Sequence, residues 1–216
     1  MNSAPGNEDD EERFRRESLG AFAHDIRTPL TSVRMVISLA EREAAGGAVA
    51  FDHELMRMLK ASIDNLETLV DDFHALTRLE RGRLTLSRGP CALGDAIRAA
   101  AETLAPGVTF AGEPGGLSIE GPWDGPRLTR ALVAFAVTAD RAGAGAGVVT
   151  LGEEHEAGSV RIVMQSGVPG DGHREISSDL GFPFFQARAL IVAMGGAVEC
   201  EREDGYFRAG LSLPLA

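Results

Sequence analysis

The sequence predicts an α + α/β protein: a helical hairpin that forms a dimeric four-helix bundle, followed by an α/β sandwich. Three observations carry this. Two long segments each hold an apolar stripe at alternating steps of four and three residues. A short Ala/Gly-rich link joins them. Beyond about residue 88, Gly and Pro become frequent, and short β-type runs alternate with helical ones.

Residues 1–12 read as a disordered acidic tail. The first helix is expected from about Arg13 to Ala45, with Leu19, Phe22, Ile26, Leu30, Val33, Ile37 and Ala40 on one stripe. The run from Ala44 through Gly46 and Gly47 ends it, because glycine accepts the left-handed cap and weakens a helix. Asp52 reads as the N-cap of a second helix, about 53–81. Its stripe is Leu55, Leu59, Ser62, Leu66, Leu69, Phe73, Leu76 and Leu79. Two striped helices on a short link make an antiparallel hairpin over 13–88. One hairpin cannot cover its own stripe, so two are expected to associate as a homodimer.

Residues 89–216 form the second domain. Leu93–Leu104, Trp123–Ala142 (starting near Asp124) and Phe184–Met194 read as helices. Val148–Leu151, Val160–Met164, Ala197–Cys200 and Phe207–Leu213 read as strands. The run from Gly143 to Gly147 follows a helix and lacks a Lys-Ser/Thr ending, so it reads as a flexible loop rather than a phosphate loop.

Composition narrows the function. The chain has 44% hydrophobic and 25% charged residues, enough for a core and for solubility. A net charge of −11 argues against nucleic acid and anionic membrane as partners, since both need a basic face. The sequence has no apolar run of roughly 18 residues and no signal peptide, which implies a cytoplasmic protein. Cys91 and Cys200, far apart and outside any CxxC, read as reduced thiols. His53, His74, His155 and His173 show no metal-ligand spacing, so no metal is expected. His155 and His173 read as loop residues, and His74 as a candidate for the docking face.

His24 stands apart. At about 100° per residue it points away from the stripe of Phe22 and Ile26, on a solvent face shared with Thr28 and Thr31. Phosphoryl transfer needs a nucleophile of this kind, exposed to in-line approach. Imidazole suits the task because its neutral form is available near neutral pH. Arg27 and Thr28 lie one turn on, within reach of a phosphate or a water. Pro29 removes the hydrogen bond to the Asp25 carbonyl and is expected to bend the helix.

The string Phe22-Ala23-His24-Asp25-Ile26-Arg27-Thr28-Pro29-Leu30-Thr31 resembles the phosphoacceptor box of sensor histidine kinases, F-x-H-E/D-L/I-R-T-P-L-T, at all ten positions. Thr77 to Leu84 is similar to the exit from that family's dimerisation domain. Gly195-Gly196 and the strands that follow are similar to the end of its ATP-binding domain. The resemblance implies that His24 is phosphorylated. It further implies that Asp25 takes a proton from the ring or orients it, and that Thr28 supports dephosphorylation of a partner regulator.

The likeness breaks at the nucleotide boxes. Where the family has N-L-x-x-N-A-x-K, this chain has Ala134-Phe135-Ala136-Val137-Thr138-Ala139-Asp140-Arg141, so Ala134 and Thr138 stand for the two asparagines. For D-x-G-x-G it has Gln165-Ser166-Gly167-Val168-Pro169. For G-x-G-L-G-L it has Asp179-Leu180-Gly181-Phe182-Pro183-Phe184, where Pro183 offers no N–H to phosphate. ATP binding is therefore expected to be lost, while Val133, Phe135, Val137, Phe184 and Leu190 keep a core.

The expectation is a histidine phosphotransferase of the kinase-derived type. It would need no cofactor of its own, would pass phosphate between the aspartates of response-regulator receiver domains through His24, and would find Mg²⁺ on the receiver. A soluble ATP-dependent kinase with an aberrant nucleotide site is one alternative. A pseudokinase that binds a regulator is the other. With no sensor domain ahead of the bundle, signals are expected to arrive through a partner.

Overall fold

The computed structural model describes residues 5–43, 53–104, 108–111, 119–142, 147–156, 158–167, 180–203 and 206–216. The chain divides into two compact units, Met1–Ala75 and Leu76–Ala216.

The first unit is the hairpin. Helix α1 spans Pro5–Glu43 and α2 spans His53–Glu80. α1 begins well before Arg13. Proline is at ease in a first helical turn, and further along pairs one turn apart join Arg16 to Glu12 at 3.3 Å and Arg13 to Glu17 at 2.8 Å. The part of the expected tail at 1–4, the link at 44–52 and the Asp52 cap lie outside the described residues. Phe22 of α1 stacks on Phe73 of α2 with ring centroids 4.5 Å apart. Along the two helices Ala21, Pro29, Val36 and Ala40 of α1 and Leu55, Leu69 and Leu76 of α2 are buried.

The expected stripe splits in two. Leu19, Leu30 and Ile37 are 46%, 46% and 45% exposed in the single chain, because each stands one residue, about 100°, beyond the buried row. On α2 the same step separates buried Leu55 and Leu69 from exposed Met56 and Val70. The helices run antiparallel, so the two exposed rows turn to the same side of the hairpin.

α2 ends at Gly82, whose φ of 61° is left-handed. Gly82 N–H donates to the Leu79 carbonyl at 2.9 Å and Arg83 N–H to that of Arg78 at 2.8 Å, a Schellman cap.

The second unit runs β1 (Gly89–Ala92), α3 (Leu93–Thr103), β2 (Thr109–Ala111), β3 (Glu120–Trp123), α4 (Gly125–Ala142), β4 (Val148–Glu156), β5 (Ser159–Gly167), α5 (Phe182–Ala193), β6 (Ala197–Glu203) and β7 (Tyr206–Pro214). The main sheet has the order β2-β4-β5-β7-β6, parallel between β2 and β4 and antiparallel elsewhere. β1 and β3 form a separate antiparallel pair in which Pro90 faces Pro122. α4 packs across β4, β5 and β7, α5 against β6, and α3 against α4.

Alternation along β5 and β7 buries Val160, Ile162, Met164, Phe207, Ala209, Leu211 and Leu213. Phe135 of α4 and Phe184 of α5 meet edge-on at 5.4 Å, and Phe184 meets Phe207 at 6.3 Å. Each such buried side chain contributes roughly 1.5–3 kcal/mol. Trp123 ends β3 rather than opening a helix, and its indole N–H donates to the Pro214 carbonyl at 2.7 Å. Asp124 caps α4: its carboxylate accepts from Arg127 N–H at 3.3 Å and from Ser87 N–H at 2.9 Å. His155 belongs to β4, opposite Val160, and not to a loop. His173 and residues 143–146 lie outside the described residues.

Candidate functional site

His24, Asp25 and Ile26 are consecutive on α1, and a helix turns about 100° per residue. His24 therefore faces solvent, Asp25 lies on the row of Ala21 and Pro29, and Ile26 lies on the row of Leu19 and Leu30. The His24 side chain is 76% exposed and that of Asp25 only 19%. His24 Nδ1 and Asp25 Oδ1 are 3.2 Å apart. A carboxylate only accepts, so this contact places the ring proton on Nδ1 and leaves the Nε2 lone pair free towards water. The sequence did not dictate this contact, since neighbouring helical side chains diverge; the short Asp side chain leans back along the helix.

Arg27, Thr28 and Thr31 are exposed, as the sequence expects. The Thr31 hydroxyl donates to the Arg27 carbonyl at 2.8 Å and the Ser32 hydroxyl to that of Thr28 at 3.3 Å. Pro29 has no N–H to donate one turn back, yet α1 continues through it. Exposed Met35 and Leu39, 47% and 38%, extend the side of His24 towards the end of α1. His74 falls elsewhere. It stands one turn beyond Val70, on the apolar side of the hairpin away from His24.

The positions that answer to the nucleotide boxes do not form a ligand set among the described residues. Thr138 is 4% exposed, and its hydroxyl donates to the Ala134 carbonyl at 2.8 Å and lies 3.5 Å from that of Leu180. Ala134 is buried and carries no donor. Met164 and Ser166 are buried under the helices, so alternation puts Gln165 on the opposite face of the sheet, away from Thr138. Gly181 adopts φ 80° and leads into Phe182 and Phe184, both buried. These residues do not fit a magnesium-nucleotide. Val168, Pro169 and Asp179 lie outside the described residues. Among the described residues no group of three or more His, Cys, Asp or Glu comes together to hold a metal. No described helix is long and apolar enough to cross a membrane.

Comparison with known proteins agrees with the hairpin. Residues 14–82 match the His Kinase A phospho-acceptor domain. The sensor protein DivL of Caulobacter vibrioides is 29% identical over 213 residues, covering 90% of this chain but only 27% of DivL. The histidine kinase AdeS of Acinetobacter baumannii superposes with a TM-score of 0.70 at 17% identity, covering 89% of this chain and 98% of that structure. A histidine kinase ThkA solved with the response regulator TrrA superposes at 0.58 and 18% identity, covering all of this chain (100%) and 68% of that one.

Proposed function

We propose that this chain carries the core of a sensor histidine kinase and works as a histidine phosphotransferase, passing phosphate between receiver-domain aspartates through His24. The observation that carries the proposal is a contrast. His24, Arg27 and Thr28 are open to solvent beside Asp25, while Thr138, Ala134 and Gln165 are turned into the core or onto the opposite face of the sheet.

In the reaction, Nε2 attacks the phosphorus of a receiver aspartyl phosphate. The N–P bond forms as the P–O bond breaks, and the receiver carboxylate leaves with the electron pair. The Nδ1 proton stays in place, and Asp25 balances the positive charge on the ring. Arg27 and Thr28 flank the transferred group. Running the step backwards charges a second receiver. ThkA, a protein of like fold, binds a response regulator, which supports a receiver as the partner here. Met35 and Leu39 would give it apolar area beside His24.

The working unit is a homodimer. Leu19, Leu30 and Ile37 of α1 and Met56, Ile63 and Val70 of α2 form one exposed apolar side of the hairpin. A second copy covers it and completes a four-helix bundle. That leaves His24 outside on each copy. A second reading, an ATP-dependent kinase, is favoured by the likeness to AdeS across both units.

Incubation with radiolabelled ATP, and separately with a receiver domain labelled on its aspartate, decides between them. Label from the receiver alone supports the phosphotransferase; label from ATP alone supports the kinase.

A further inference from the structure

The exposed apolar row of α2 does not stop at Val70. Met56, Ile63 and Val70 recur every seven residues, and the next step of four is His74, also exposed. His74 sits within about 40° of that row. We propose that His74 occupies a layer of the seam between two copies, and that its protonation weakens their association. This rests on the dimer described above.

In a bundle whose two-fold axis runs along its length, equivalent residues stand at the same height, so both His74 rings fall in one layer. The Phe22–Phe73 stack sets the level of α1 against α2 and brings Leu19 and Ala23 to that layer. A neutral imidazole fills such a place acceptably; an imidazolium must be stripped of water without a matching anion. The layer itself, with Leu19 and Ala23, holds no carboxylate. The charged groups flanking it are Glu67, Asp71, Asp72 and Arg78 on α2 and Glu12, Arg15, Arg16 and Asp25 on α1. Asp72 is buried, Asp25 lies against His24, and Glu12 is engaged by Arg16 at 3.3 Å.

The sign follows. An ordinary imidazole takes up its proton near pH 6.5. Association favours the neutral ring, so it is strongest above that pH and declines as pH falls through it. If both rings must be neutral in the dimer, each must release its proton on association, so the dimer Kd rises as pH falls.

Sedimentation equilibrium of the full chain at pH 7.5, 6.5 and 5.5 tests this. The wild type should weaken at least about tenfold towards pH 5.5. His74→Leu should bind tighter with a flat profile, and His74→Gln should keep a flat profile even if it binds more weakly. A wild-type Kd that does not change with pH, or the same pH dependence in all three proteins, overturns the proposal. Those results leave the dimer standing, whereas a wild type that is monomeric at every pH removes both.

Discussion

Ile37→Ala separates association from folding. Ile37 lies thirteen residues beyond His24 on α1 and is 45% exposed in the single chain. Alanine is the better helix former, so the substitution does not weaken α1 itself. Burying a whole Ile side chain is worth about 1.5–3 kcal/mol. Roughly half of that remains to be gained when a second copy covers the exposed part, about 1 kcal/mol per copy. The two-fold axis counts it twice, giving about 2 kcal/mol and a rise in the dimer Kd of about thirtyfold. Dilution monitored by light scattering measures it. Circular dichroism at matched concentration should show unchanged helix content. An unchanged Kd in a folded protein would refute the argument that the exposed row is the seam.

Three further outcomes are expected. Asp25→Asn should slow phosphotransfer by about 10²-fold while receiver affinity, measured by calorimetry, stays the same; equal rates would remove Asp25 from the chemistry. Gly82→Ala should cost about 1–2 kcal/mol in thermal unfolding, since nothing lies within 4 Å of an added Cβ and the left-handed φ of 61° is the only penalty. Burial pushes the Cys200 thiol up to about 11, so at pH 8 only about one in a thousand is thiolate. Alkylation of Cys200 should be slow there and rise about tenfold per pH unit; fast modification at pH 8 would contradict the burial.

The apolar periodicity read out the hairpin because both helices bury a row at helical spacing, as with Val36 and Ala40 or Leu69 and Leu76. It merged two rows into one, because a broad apolar arc holds both the residues that face the other helix and those, like Leu30, that do not. The start of α1 was missed for the opposite reason: the sequence of residues 5–12 is polar and has no apolar period to detect. β1, β2 and β3 escaped because they span three or four residues, and two of them contain Gly and Pro. They exist through tertiary ties such as the Trp123 bond to Pro214. At the site, exposure of His24 followed from its angle on the helix. The Asp25 contact and the inward hydroxyl of Thr138 depend on side-chain conformation, which spacing does not encode. The place of His74 became legible only once Phe22 and Phe73 fixed how the helices face each other.

Passage of phosphate through His24 is tested by transfer from a receiver labelled on its aspartate to the wild-type chain and to His24→Gln, with the product checked for the acid lability of a phosphohistidine. Acid-labile label is expected on the wild type, none on His24→Gln, and a dimer in both, because the ring lies outside the buried rows. Label on His24→Gln at the wild-type rate would contradict passage through His24.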